Sequence, residues 1–299
     1  HMERMIILRE IEEAKRKRRR EIWETFKSNK AAYISLYIVG FLIFIALFGP
    51  VIAPYNPYDF DLSKAKMPPS LSHPFGTDGL GRDILSRIFV GARYTIGISL
   101  ASVAIGAFIG VLLGLFSGYM RGLWDTIIQR IVDVMLAFPT ILLAIALVAS
   151  LGRGVLSLII AIAVSTFPVY VRLTRGVVLQ IVGEDYIAAA KMLGRSSLYI
   201  MFRHVLPNSL SPIIVQSTYY MGSSILIASS LGFLGLGVPP PTPEWGSMIG
   251  SERIYLFSSP HIVLFPGLFI MIAVLSFNLI GDGLRDALDP KMRTYFRRG

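Results

Sequence analysis

The sequence predicts an all-α integral membrane protein with six transmembrane helices. Three observations carry that prediction. Hydrophobic residues make up 54% of the 299-residue chain, charged residues only 16%, and the mean hydropathy is +0.61. Soluble domains carry about 25% charged residues, and disorder needs low hydrophobicity. The apolar residues also come in blocks of the ~20 residues that a helix needs to cross a ~30 Å hydrocarbon core. Finally, the basic residues collect in alternate connections between those blocks.

The elements follow in order. Residues 1–30 form a charged, basic tail with no cleavable signal pattern. The first span, 31–53, runs without a charge. A long outer loop, 54–94, leads to the second span, 95–117. The third, 131–151, carries Asp133 near its start, and pairing with Arg130 or another loop base is the expected fate of that acid. The fourth, 154–172, is short and ends at Arg172. An inner segment, 173–208, precedes the fifth span, 209–236, which gives way to the Gly- and Pro-rich run Gly232 to Pro241. The sixth is 262–281.

Orientation follows from the bases. With both ends inside, 22 of the 29 Lys and Arg lie on the inner side, which carries a net +9 of the total +10. That is the positive-inside asymmetry. The Lys15 to Arg20 run reads as a solvated tail touching membrane lipid, and no nucleic-acid partner is expected. The chain has no cysteine, which excludes disulfides and thiolate chemistry. The histidines lie in separate loops, so no metal site is expected.

The second span carries Gly106, Gly110, Gly114 and Gly118 at strict i+4 spacing. They form one smooth face suited to close helix packing. The inner segment opens with Glu184-Asp185, continues through Ala188, Ala189 and Ala190, and stops at Gly194. Ser196 and Ser197 offer caps for a second short helix, Leu198 to Val205. Pro207 disfavours helical geometry at Leu206 and is expected to end it. Two short helices around a glycine turn fit either a docking element with a small-residue face or an interfacial pair lying on the bilayer.

The segment resembles the cytoplasmic EAA loop of ABC importer permeases. Ala188, Ala189, Ala190, Gly194, Leu206 and Pro207 stand at its spacing, with Ala188 in place of the usual Glu and His204 at a usually hydrophobic position. Other blocks narrow the resemblance to C-type dipeptide, oligopeptide and nickel permeases. These are His73 to Asp78, Gly81-Arg82-Asp83, Leu136 to Pro139, Arg203 to Asn208, Phe233 to Pro240, and Phe277 to Pro290. The resemblance covers nearly all of 31–290.

It implies a five-helix permease core over 95–290 after one N-terminal span, with 291–299 as an inner tail. It also implies that the 173–208 loop, through Glu184, Ala188 to Ala190, Gly194, Arg195, Leu206 and Pro207, couples to ATPases. The implied partners are a B-type permease, two ABC ATPase subunits and an extracellular substrate-binding protein, in a prokaryotic inner membrane. The binding protein's expected docking surface is the outer loop with the Gly237 to Arg253 turn.

No phosphate-binding loop occurs here. The chain is therefore expected to be no enzyme and to hold no cofactor, ATP and Mg being used by the partners. Peptide cargo is the expectation, with nickel chelates or oligosaccharides as alternatives. A proton-coupled carrier is disfavoured because the spans lack an acid relay. Ala228 stands where the family often has a Glu, near the expected pathway.

Overall fold

The computed structural model describes residues 2–289, with side chains from residue 5 onward. The expected C-terminal tail, 291–299, lies outside the described residues. Apart from one isolated bridge between Thr77 and Asp83, the described residues contain no β structure. The helices are α1 (Met2–Ser28), α2 (Lys30–Ile52), α3 (Ile84–Met120), α4 (Gly122–Leu136), α5 (Thr140–Leu151) and α6 (Val155–Ile181). They continue with α7 (Asp185–Met192), α8 (Ser197–Ile200), α9 (Leu206–Phe233), α10 (Trp245–Glu252) and α11 (His261–Leu288).

Among them, α2, α3, α6 and α11 are each long and apolar enough to span a bilayer, and α4 with α5 make a fifth candidate. The remaining predicted span, the fifth at 209–236, forms α9. Its 28 residues give ample length, but ten are Ser, Thr, Asn or Gln, so it falls short in apolarity.

Several boundaries differ from the hydropathy reading, each for a local reason. The second span begins at Ile84 rather than near 95. Asp83 caps it, accepting from the Ser86 backbone at 3.0 Å. Hydropathy misses these turns because they carry Arg87 and Arg93. Arg87 is nonetheless buried, donating to the carbonyls of Pro57 (2.8 Å) and Pro241 (3.1 Å). The outer connection therefore shrinks to 53–83.

The third segment is not one rod. It bends by 91° between α4 and α5. Pro139 lacks an N–H and disfavours helical geometry at Phe138, so the ladder stops there. The fourth span runs to Ile181, which places Arg172 and Arg175 inside a helix.

Three apolar clusters organise the bundle. One joins α2, α3, α10 and α11 with the end of α1. A second gathers α5, α6 and parts of α3 and α9. The third seats the α7–α8 segment on α3 and α6.

The contact between α3 and α6 is the most extensive in the bundle. A Cβ built on Gly110 would stand 2.4 Å from the Tyr170 Cβ and 2.7 Å from the Phe167 carbonyl oxygen. One on Gly114 would meet the Val171 oxygen at 2.6 Å, and one on Gly118 the Val178 side chain at 2.9 Å. At Gly106 it would meet Thr166 Oγ1 at 3.0 Å. All four glycines thus face α6. Overpacking a filled contact costs about 1–3 kcal/mol when neighbours can shift, and backbone cannot shift freely. Gly110→Leu is expected to reduce the yield of assembled protein in membranes by several-fold. A wild-type yield and melting profile would show that the seam is looser than its geometry.

Candidate functional site

The inner segment between α6 and α9 is built by local rules. Glu184 sits extended at the N-terminus of α7 (φ −77°, ψ 147°), without a side-chain capping bond. Asp185 in the first turn and Lys191 in the last suit the helix dipole. The helix ends in a Schellman motif. Gly194 takes φ +70°, its N–H donates to the Lys191 carbonyl at 3.0 Å, and Arg195 N–H reaches the Ala190 carbonyl at 3.2 Å. A Cβ on Gly194 would touch nothing within 4 Å. Glycine is needed there for its backbone angle, not for room.

Ser196 then caps α8, accepting from the Tyr199 N–H at 3.3 Å. The expected break at Pro207 does not occur. Met201 to Val205 form a π-turn that runs directly into α9, and Leu206 is helical at φ −58°, ψ −48°. The wider turn, with Leu206 N–H donating to the Met201 carbonyl, admits a proline that has no N–H of its own. The second short helix and the fifth long helix are therefore one continuous element.

The segment has a clear inside and outside. Ile187, Ala190, Ile200, Met201 and Val205 are buried against Leu115, Val178 and Ile181. The alanine face is thus divided. Ala188 and Ala189 face outward, whereas Ala190 (7% exposed) is part of the foot. Met192 (88%) and Leu193 (79%) stand in solvent with Leu198 and Phe202. Lys191 Nζ lies 5.5 Å from the Tyr119 ring, and the Arg195 guanidinium 4.9 Å from that of Tyr199. Pro207 is exposed and Leu206 half-buried.

On α9, the side chains of Ser223, Leu226 and Ser230 are exposed along one face. Ala228 is not among them. It is fully buried between Ile98, Ala144, Leu158 and Ile162, so the position belongs to the core and not to a pathway. Asp133 pairs with Arg172 of α6 and, at 3.4 Å, with Arg130.

The outer side is tied by buried polar groups that hydropathy could not reveal. Glu244 caps α10, accepting from the N–H groups of Gly246 (3.0 Å) and Ser247 (2.8 Å). Thr95 Oγ1 accepts from the Trp245 N–H at 3.1 Å and donates to Glu244 at 3.3 Å. Burial raises the Glu244 pKa, against the opposing pull of these bonds. Trp245 is fully buried, with Nε1 donating to the Ile88 carbonyl at 3.0 Å. It is a packing residue of the core. Arg82 pairs with Asp78 at 2.7 Å and lies 3.6 Å from Glu252. His73 bonds Asp83 at 2.9 Å under the Tyr55 ring, while His261 Nε2 lies 3.1 Å from the Thr77 carbonyl oxygen. Each of these two histidines thus has a structural partner.

Residues 110–294 match the family described as binding-protein-dependent transport system inner membrane component. The chain belongs to that family. Residues 18–69 match the N-terminal transmembrane domain of oligopeptide transport permease C. The glutathione transport system permease protein GsiD of Escherichia coli O6:K15:H31 is 48% identical over 274 residues, 91% of this chain and 90% of its own. The GsiD of Shigella dysenteriae serotype 1 is 47% identical over the same length. Among solved structures, the inward-facing MetNI methionine ABC transporter gives a TM-score of 0.54 at 19% identity, covering 67% of this chain and 95% of that one. A second crystal form gives 0.56.

The chain is therefore an ABC importer permease of the peptide type, a multi-pass inner-membrane protein. Its family supplies the transmembrane component, and ATP hydrolysis belongs to a partner. In this permease the outer tie is the part most open to a stability test. Glu244→Ala would orphan two buried N–H donors, a loss on the order of 1–3 kcal/mol. Glu244→Gln keeps an acceptor oxygen for these donors. Thermal unfolding of the purified permease should place the alanine variant clearly below the glutamine one, and equal melting would mean that the cap contributes nothing.

Proposed function

We propose that this permease is the C-type half of an ATP-driven importer of small peptides, with tripeptides of the glutathione kind in range. The observation that carries the cargo class is the 48% identity to a glutathione permease over nine-tenths of both chains. In this reading a B-type permease completes the translocation pathway and two ATPases bind from the cytoplasm, where ATP and Mg are used. An extracellular binding protein delivers cargo to the outer loop and to the turn around α10. Both termini are cytoplasmic, as the basic excess on that side favours. The pathway runs along the polar face of α9 that carries Ser223 and Ser230.

The 182–205 segment is the ATPase-coupling element. Its outward surface of Ala188, Ala189, Met192 and Leu193 is the part that enters the ATPase groove, and its buried foot passes the motion to α3 and α6. Glu184 starts the first short helix, Gly194 and Arg195 set the angle to the second, and Leu206 and Pro207 join that one to α9.

The complete complex in proteoliposomes tests the cargo reading. Glutathione or a neutral tripeptide, carried by the binding protein, is expected to stimulate ATP hydrolysis and accumulate inside. Accumulation should survive collapse of the proton gradient and stop without ATP. Transport of nickel chelates alone, or transport driven by protons alone, would overturn it.

The loop assignment has its own test, because two adjacent alanines face opposite ways. Ala189→Trp should leave the permease folded and abolish cargo-stimulated ATP hydrolysis. Ala190→Trp should instead lower the amount of folded protein, since its Cβ lies in the foot. A permease that tolerates tryptophan at 189 with full coupling does not dock through this face.

A further inference from the structure

The helix α4 is attached to the rest of the chain in an unusual way. Its apolar side chains Leu123, Ile127, Ile131 and Val134 are exposed, and only Val132 is buried. Beside Val132 and the half-buried Ile128, α4 turns toward its neighbours the polar row Asp125, Gln129 and Asp133, spaced four residues apart on one side of the helix.

Opposite it stand Arg172 and Arg175, one turn apart on α6, and Ser117 of α3. Asp125 accepts two bonds from Arg175, from Nε at 2.7 Å and from a terminal nitrogen at 2.8 Å, and a third from Ser117. Gln129 donates to Ser117 at 3.1 Å. Asp133 accepts from Arg172. These groups surround a cavity of about 440 Å³.

A fork-on-carboxylate pair fixes orientation as well as distance. Apolar contact gives little drive for helix association in lipid. The ionic row thus adds a directional fastening of α4 to α6 beside the apolar contact of Val132. Beyond Leu136 the chain turns through 91°, so α5 cannot hold α4 in line.

We infer that Asp125 with Arg175, and Asp133 with Arg172, are positioning residues that make α4 follow the inner segment during transport. This rests on the proposed coupling role of that segment. The path is short. α6 ends at Ile181, four residues before α7 begins at Asp185, and Val178 and Ile181 are part of the buried foot. A displacement of the foot moves the inner end of α6, and the two ion pairs carry α4 with it. Without them α4 is free to swing about the elbow at 137–139. The partner ATPases would then still turn over while the inner half of the pathway fails to follow.

The experiment uses the whole complex in proteoliposomes and reads cargo moved per ATP hydrolysed. Wild type is measured first, so that failure of ATP-linked transport there counts against the functional reading and not against this inference. Asp125→Asn and Arg175→Gln should each lower the ratio at least five-fold while ATP hydrolysis persists. The reversed pair, Asp125→Arg with Arg175→Asp, should recover it to within about two-fold of wild type.

Because the chain has no cysteine, a covalent substitute is also clean. Asp125→Cys with Arg175→Cys should be uncoupled when reduced and regain coupling when a short bis-methanethiosulfonate bridges the two thiols. Recovery by either route supports a mechanical tie. Single variants with a wild-type ratio would overturn it. So would folded, ATP-hydrolysing complexes whose coupling neither charge reversal nor the bridge restores.

Discussion

The arrangement of this permease depends on how closely α3 and α6 approach. Two helices in lipid have little hydrophobic reason to associate, because tails are as apolar as leucine. What remains is packing at short range, which falls away steeply with distance. Four glycines in a row remove every side chain from one face of α3, and the backbone of α6 from Ala163 to Arg175 fills the space. That seam fixes α6, and α6 in turn holds α5 on one side and α4 on another. The inner segment rests its buried foot on the ends of the same two helices.

The outer end obeys a different constraint. The connection from α2 to α3 and the one from α9 to α11 are long, and their backbone polar groups must be satisfied somewhere. Buried side chains do this work. Asp83 caps α3 and holds His73, Glu244 caps α10 and meets Thr95, and Arg87 reaches the carbonyls of Pro57 and Pro241. Glycines again allow the approach. A Cβ on Gly246 would stand 2.4 Å from Ser229 Cα, and one on Gly250 the same distance from the Gly232 oxygen. The short helix α10 thus lies directly on the backbone of α9, and a displacement of one end of α9 is felt by the outer turn.

Hydrophobicity marked most of the spans, and spacing marked the glycine face and the inner segment. These signals survive because each is local, a run of apolar residues or a residue type at a fixed interval. The boundaries were less legible. Arg172 read as the end of a span and Arg87 fell in a loop, since a charge lowers any average, yet both lie within helices where a group near in space but distant in sequence accepts their hydrogen bonds. Pro207 read as a stop because its influence on a regular α-helix is to break it, and a π-turn removes that conflict. Ala228 read as a pathway position by resemblance, whereas its face of α9 is turned into the core. The bend at Pro139 left a proline as its sign, but Pro168, Pro212 and Pro266 lie in helices that continue through them.

The polar row on α4 shows why a chain so poor in charge places some of it here. An apolar seam between two helices is tolerant of sliding, since one leucine replaces another with little loss. An ionic row is not. Moving α4 along α6 by one turn would set Gln129 against Arg175 and leave a carboxylate without its guanidinium. Removing a partner from the Asp125–Arg175 pair leaves a partly buried charge without its guanidinium, which disfavours the shifted arrangement. The row therefore selects one register. A helix held in one register can only be displaced together with its neighbour, as a unit, and the flexible point is forced to the elbow before Pro139. In the proposed coupling, motion entering from the 182–205 segment is taken up at the joint between α4 and α5.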